Sequence, residues 1–476
     1  MRVTLIGPGP APARGCAAWL TLLLLAAAPL AAQRGFVAVQ APVVALTHVR
    51  VIDGTGAPAR ADQTILVRDG KIAAIGGAIP AGAKVLDLTG DTVLPGLVML
   101  HEHMFYPAGG NTYNEQAFSF PRLYLAGGVT SMRTTGSVEP YADLNIKQEI
   151  DAGRMVGPEM YPTGPYLEGS PSIGPQLHSL KDAAEAEAFV RYWASVGIQN
   201  WKAYMHITHD ELAAAITTAH SLGQKLTGHL CSVGFREAAA LGIDDLEHGF
   251  VVDTEFVPGK QLNQCPAQST TFATNAKLDI QGPEVQATIH DLIQHHVAVT
   301  STLAVFETFV PNRPPLDPRV MNALSPLAKV NYLEYRARVA GGAAKSVWPV
   351  LFQKELDFER SFARQGGLLL AGLDPTGGGG VVAGFGDQRE MELLVEAGFT
   401  PLEAIHIATY NGAQYLGILN RVGTIAVGKQ ADLMVVRGNP GADIHDIENV
   451  QWVFKRGVGY DSAKLIDSAR DAVGMH

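Results

Sequence analysis

The stretch LPGLVMLHEHMF, residues 94–105, ends an apolar run in two histidines one residue apart. In a strand, positions i and i+2 face the same side, so His101 and His103 project together and Glu102 turns away. Two imidazoles on one side of a strand end can bind one metal ion, histidine being the commonest metal ligand. They can equally be two ordinary histidines. Other apolar runs carry chemistry of the same kind. Lys202 stands inside IQNWKAYM (198–205), His229 closes QKLTGHLCS (224–232), His248 closes DDLEHGF (244–250) and Asp374 closes GLLLAGLDPTG (367–377). One histidine at a strand end is most often a satisfied structural group. Five such positions and a lysine, spread over five runs, make that reading much weaker.

The elements that must position these residues follow from the same runs. GVTSMRTTG (128–136), PEMYPTG (158–164) and HVAVTSTLAVF (296–306) bring the candidate strands of the middle region to eight. Helical patterns separate several of them. Thr208 and Glu211 form a capping-box pattern before ELAAAITTAHSLG, with Gly223 at its stop, and Thr400, Pro401 and Glu403 start a second helix before AIHIATYNGAQYLG. Repeated βα units over 98–419 predict an α/β fold, a parallel (β/α)8 TIM barrel with reactive residues at the C-terminal strand ends. The stretch 307–366, with the helical pattern NYLEYRARVA, is long for one connection and reads as a substrate-side insertion. Residues 43–93 read as short strands punctuated by Gly and Asp, as do VGTIAVGKQADLMVVRG and VQWVFKRGVGY near the other end. These predict a small composite β-sandwich domain, 43–97 with 420–470, beside the barrel.

The set His-x-His, Lys, His, His, Asp on strands one, four, five, six and eight resembles the amidohydrolase superfamily. The likeness covers almost the whole mature chain and includes VIDGTG, VLPGLVMLHEHMF, TGHLCS, DDLEHG and VGTIAVGKQADLMVV. Within the superfamily the chain is similar to the exported prolidase-like branch, Xaa-Pro dipeptidases and N-acyl amino acid hydrolases with a carboxylated lysine. The resemblance implies two divalent metal ions. One would be held by His101, His103, Lys202 and Asp374, the other by Lys202, His229 and His248. Nitrogen and oxygen ligands fit zinc, with manganese or cobalt as alternatives.

The lysine is the informative member. An ordinary Lys has a pKa of about 10.4 and is a cation, useless as a ligand. Burial beside metal ions disfavours the ammonium; the neutral amine can then add carbon dioxide and become an anionic carbamate, which in the resembling enzymes bridges the two ions. The mechanism implied is attack of a metal-bridging hydroxide on an amide carbonyl, with Asp374 moving the proton to the leaving nitrogen. A cyclic amide, a lactone or an aryl amide could be hydrolysed on the same metals. A single-metal deaminase or imidazolone hydrolase fits less well, since those relatives lack the strand-four lysine. A noncatalytic relative would usually have lost ligands, and every ligand position here is filled.

Further residues read less sharply. Tyr204, two positions after Lys202, faces the same way and could donate to the carbonyl oxygen; barrel packing is the alternative. His178 lies in the loop before strand four, where the branch often places a substrate-side histidine. His206 and His209 follow strand four and suit a helix start or solvent exposure better than ligation. His295 and His296 precede strand seven, at its wrong end for catalysis. Arg133 ends strand two and suits an ion pair or a substrate carboxylate. GLDPTGGGG lacks the GxxxxGK[ST] pattern of a phosphate loop.

The bulk composition bounds the rest. Across 476 residues, 36 Lys plus Arg stand against 46 Asp plus Glu, a net charge of -10, which argues against nucleic acid as partner. The expected partner is a small-molecule amide or peptide substrate. Relatives of this kind are often multimeric, which leaves a homo-oligomer open. Arg2 and Arg14 precede the uncharged run CAAWLTLLLLAAAPLAA (16–32), short of the roughly 20 apolar residues of a membrane span. Ala31 and Ala32 suit cleavage before Gln33, so 1–32 reads as a signal peptide, with a retained anchor as alternative. The expected location is periplasmic or secreted, with no membrane association after cleavage. Of the three cysteines, Cys231 and Cys265 remain in the mature chain, where an oxidising compartment would allow one disulfide.

Overall fold

Eight of the apolar runs become parallel strands, and the computed structural model, which describes residues 35–475, shows them in two groups. The first group contains β1 (Leu97–Glu102), β2 (Val129–Thr134) and β3 (Glu159–Tyr161), in the order β3-β2-β1. The second contains β4 (Asn200–Ala203), β5 (Lys225–Gly228), β6 (Asp245–Glu247), β7 (Ala298–Ser301) and β8 (Leu369–Ala371), in sequence order. All but a few of their residues, on both faces, are buried, as expected of parallel strands covered by helices. The predicted signal peptide, 1–32, lies outside the described residues.

The hydrogen-bond ladders make two sheets rather than one closed ring. Isolated parallel bridges, Thr163 to Asn200 and Leu167 to Ala203, join the region after β3 to β4. On the other side, β8 meets β1 through the Asp374 N–H donating to the His101 carbonyl at 3.1 Å. The approach there is too close for a side chain: a Cβ on Gly372 would lie 2.2 Å from the His101 Cβ. Glycine at 372 lets the two backbones meet.

The predicted helix starts appear where the capping chemistry puts them. Thr208 and Glu211 form a reciprocal capping box at the head of His209–Ser221, and Thr400 and Glu403 do the same for Pro401–His406. The insertion is helical, with Pro318–Ala323, Pro326–Gly341 and Trp348–Arg364.

The two chain ends do pair. Leu433–Arg437 runs antiparallel to Asp91–Pro95, and Val37–Val39 antiparallel to Val458–Asp461. The result is one nine-stranded sheet, where a two-sheet sandwich is expected from sequence. The reason is one long strand. Val43–Val51 bonds to Arg60–Arg68 on one side and to both Lys84–Asp87 and Asp91–Pro95 on the other, so it joins what would otherwise be two layers. Val44, Leu46, Ile65, Val93, Leu433 and Phe454 form a core of their own around this sheet.

Candidate metal centre

Strand register stacks the chemistry in layers. Lys202 on β4 is level with Thr227 on β5 and, through it, with Asp245 on β6. The histidines sit just beyond. The His229 N–H donates to the Ala203 carbonyl and the His248 N–H to the Thr300 carbonyl, which fixes both residues at the rim. His248 and Asp374 have φ of +71° and +50°. Neither is glycine, so both hold backbone strain at the point where a strand turns into the site, a pattern associated with functional positions.

His101, His103, Lys202, His229, His248 and Asp374 line one cavity of about 370 Å³, together with Tyr204. Asp374 Oδ1 lies 3.4 Å from His103 Nε2 and 3.7 Å from His101 Nε2. One ligand atom from each of these three residues falls within 4.8 Å of the others, so the three can hold a metal ion. The rings of His101 and His248 are 4.6 Å apart, and those of His229 and His248 4.4 Å.

Outer contacts aim the imidazoles. His103 Nδ1 lies 3.1 Å from the Gly136 carbonyl, which can only accept, so Nδ1 carries a proton and Nε2 is the nitrogen turned to Asp374. His101 Nδ1 meets Glu247 Oε2 at 2.6 Å, with the same consequence. His248 Nδ1 is 2.7 Å from the Thr302 hydroxyl. Engagement of the second ring nitrogen by a carboxylate or carbonyl is how proteins orient metal-binding histidines.

Burial sets the protonation states. It keeps His101 and His248 neutral well below the ordinary histidine range and pulls His229 down to about 3, with the Lys202 charge adding to the effect. Burial alone would raise Asp374, but the positive charge of the site, Lys202 included, outweighs it and holds the carboxylate ionised. Lys202 is 1% exposed, and burial draws it down to about 8. Its Nζ makes no hydrogen bond, and the nearest carboxylate oxygen, on Glu247, is 3.9 Å away. A buried amine without a hydrogen-bond partner, among imidazoles and one carboxylate, is a donor set suited to divalent metal.

Of the remaining sequence candidates, Tyr204 faces the cavity with its ring 5.2 Å from that of His229, and burial pushes its phenol well up, keeping it a donor. His178 lies apart from the cavity lining. Its side chain is half exposed, meets Glu185 at 3.0 Å and stacks on Phe189, while its neighbours Gln176 and Leu177 reach the cavity instead. Arg133 is an ion-pair residue, bonded to Asp245 and Glu247 at 2.9 and 2.8 Å. His206 pairs with Glu168. Glu247, Tyr113, Tyr166 and Thr302 also stand at the site, and none of them is marked by its own place in the sequence. Asp245 and Glu247 alternate on β6 just before His248, and that i, i+2 pair of acids on a buried strand was the available signal. Cys231 and Cys265 form a disulfide.

Residues 370–458 match the Amidohydrolase family. A dihydroorotase from Anaeromyxobacter dehalogenans is 32% identical over 126 residues, 25% of this chain; the matched stretch spans only 28% of that protein. A crystal structure described as a prolidase, from Bifidobacterium longum, is 26% identical and superposes with a TM-score of 0.63 over 90% of this chain and 98% of that one. The bottromycin amidohydrolase AH, 20% identical, shares the fold with a TM-score of 0.69 over 93% of this chain and 96% of its own. The family match is confined to residues 370–458, and the likeness over nearly the whole chain is one of structure, to proteins described as a prolidase and an amidohydrolase. Metal ions are generally used in that family, in keeping with the His101, His103 and Asp374 cluster.

Proposed function

We propose that the chain is a hydrolase of amide C–N bonds, of peptide or N-acyl amino acid type, working on two divalent metal ions bridged by a carboxylated Lys202. The observation that carries this reading is the Lys202 nitrogen, buried, without a hydrogen bond and drawn toward neutrality among four imidazoles. A neutral amine adds carbon dioxide by forming one N–C bond and releasing one proton, so a cation is replaced by an anion with two oxygen donors. His101, His103, Lys202 and Asp374 would hold one ion; Lys202, His229 and His248 would hold the second. Their N and O atoms suit zinc, with manganese or cobalt as alternatives.

Bound ions would polarise the amide carbonyl and bring the pKa of a water from about 15.7 to about 7. Asp374, held ionised, accepts the proton of the attacking water and delivers it to the leaving nitrogen, which departs as an amine. Tyr204, held protonated, donates to the carbonyl oxygen as charge develops there. The two parallel sheets read as the arcs of a (β/α)8 barrel whose strand ends carry the site. The prolidase-like build supports a peptide-type amide. A cyclic amide is the second reading, favoured by the likeness to a dihydroorotase. The N-terminal apolar segment and the Cys231–Cys265 bond support an exported protein, periplasmic or secreted.

The test is elemental analysis of the purified chain together with hydrolysis of Xaa-Pro, Xaa-Arg, N-acyl amino acid and cyclic amides. Two ions per chain are expected. Lys202→Ala loses both ions and all measurable hydrolysis, and labelled bicarbonate gives a carbamate carbon signal in wild type alone. Full activity of Lys202→Ala would refute the assignment.

A further inference from the structure

The cavity at the metal centre has two lobes of opposite character. Asn111, Tyr113, Tyr166, Gln176 and Tyr204 give the first a polar wall. The second, of about 280 Å³, shares its floor with the first: His229, His248 and Asp374 line both. Beyond that floor its wall is mostly apolar and carries four aromatic rings. Phe309 and Phe272 lie 4.6 and 5.0 Å from Trp348, Phe306 lies 5.8 Å from it, and Phe306 also reaches His248 at 5.7 Å, centroid to centroid.

These rings come from separate parts of the chain. Phe272 is on helix Gln268–Asn275, which starts shortly after Cys265, and the disulfide ties that segment to Cys231 in the loop after β5. Phe306 is on Leu303–Glu307 after β7, and Trp348 opens the helix Trp348–Arg364 in the insertion. Phe272, Phe309 and Trp348 are only half buried. Aromatic surface held around a cavity and left partly uncovered favours an apolar occupant. Size agrees, since an apolar cavity of roughly 150 Å³ already admits benzene. Charge agrees too. Among the described residues lining either lobe, Lys202 is the sole Lys or Arg, and the proposed function commits it to the metals.

We propose that the Phe272–Phe306–Phe309–Trp348 lobe is the specificity pocket, and that it takes an uncharged aromatic or branched aliphatic group flanking the scissile amide. The proposal rests on the amide-hydrolase reading and narrows it to amides with one bulky apolar flank. A flank bearing a carboxylate or an ammonium finds no charge partner among the rings and loses its hydration on entry.

The test uses the metal-loaded full chain and two series of amides. One varies the acyl side through acetyl, hexanoyl, phenylacetyl and succinyl; the other varies the amine side through glycine, leucine, phenylalanine, glutamate and lysine amides. In one series kcat/KM rises at least about tenfold from the smallest to the aromatic flank, and charged flanks rank last. Val252→Phe, which fills the lobe from a half-buried wall position, lowers kcat/KM for aromatic flanks by about tenfold or more and leaves the smallest substrate within about threefold. Trp348→Ala, which opens the lobe, weakens the aromatic preference mainly through KM, at unchanged metal content. Equal rates on small, aromatic and charged flanks, or variants that slow every substrate alike, would overturn the pocket while leaving amide hydrolysis standing. No hydrolysis of either series by a chain carrying two ions would overturn the amide-hydrolase reading and this inference with it.

Discussion

His101 Nδ1 lies 2.6 Å from Glu247 Oε2, and both side chains are buried. The other oxygen of that carboxylate accepts from Arg133 at 2.8 Å and from the Thr227 hydroxyl at 2.5 Å. Glu247 is thus held on three sides, and its oxygen can only accept from the imidazole. His101 must keep its proton on Nδ1 and present a bare Nε2 toward Asp374. Glu247→Gln puts an amide in that place. If the amide nitrogen faces the ring, the tautomer reverses and Nε2 carries the proton. If it faces Arg133, two donors oppose each other. Either way metal affinity falls about 10- to 100-fold, measured by competition with a chromogenic chelator, and activity returns with excess metal. Unchanged affinity would mean that His101 is aimed by its backbone alone.

The ease with which the site is read from sequence depends on how local the signal is. His101 and His103 follow from alternation along one strand, and the capping boxes at Thr208 and Thr400 from three-residue spacing. Glu247 does not, because its importance lies in contacts to residues 101, 133 and 227, distant in the chain. Trp348 is hidden for the same reason: a long insertion shows its helices but not which ring it turns toward the cavity. The expected sandwich missed because residue patterning marks strands without saying that Val43–Val51 would pair along its whole length with three partners. His178 is in the loop expected, yet Glu185, seven residues on, takes its ring outward.

The buried Lys202 ammonium makes the metal-free protein sensitive to alkali in an unusual direction. Its pKa in the folded chain is drawn to about 8, below the ordinary lysine value. Between pH 8 and about 10.4 the unfolded chain binds a proton that the folded chain lacks, so folding stability rises with pH through that window. Below pH 8 the cost of the buried charge is fully present. Lys202→Met removes it. In metal-stripped protein in buffer free of carbon dioxide, Lys202→Met is more stable than wild type at pH 7 by about 2 to 3 kcal/mol. The difference shrinks as pH rises toward 10. Urea unfolding at pH 7 and pH 10 reads both points, and a gap that is absent at pH 7 or grows with pH contradicts the buried-cation assignment.

The Cys231–Cys265 bond closes a loop with a sequence separation of 34 that contains β6, Glu247 and His248. Cross-linking removes loop entropy from the unfolded chain, worth about 4 kcal/mol at this length if the native state is unchanged. Reduction therefore lowers stability by roughly 2 to 4 kcal/mol, and the double variant Cys231→Ser with Cys265→Ser loses the same amount and no longer responds to reductant. Denaturant unfolding with and without dithiothreitol measures the loss. Because His248 is inside the loop, the metal-loaded and metal-free forms separate two contributions. Metal bound to the native state adds stability to both oxidised and reduced protein by mass action. The same increment in both places the disulfide's effect in the unfolded chain; a smaller increment after reduction would show that the bond also holds His248 in position.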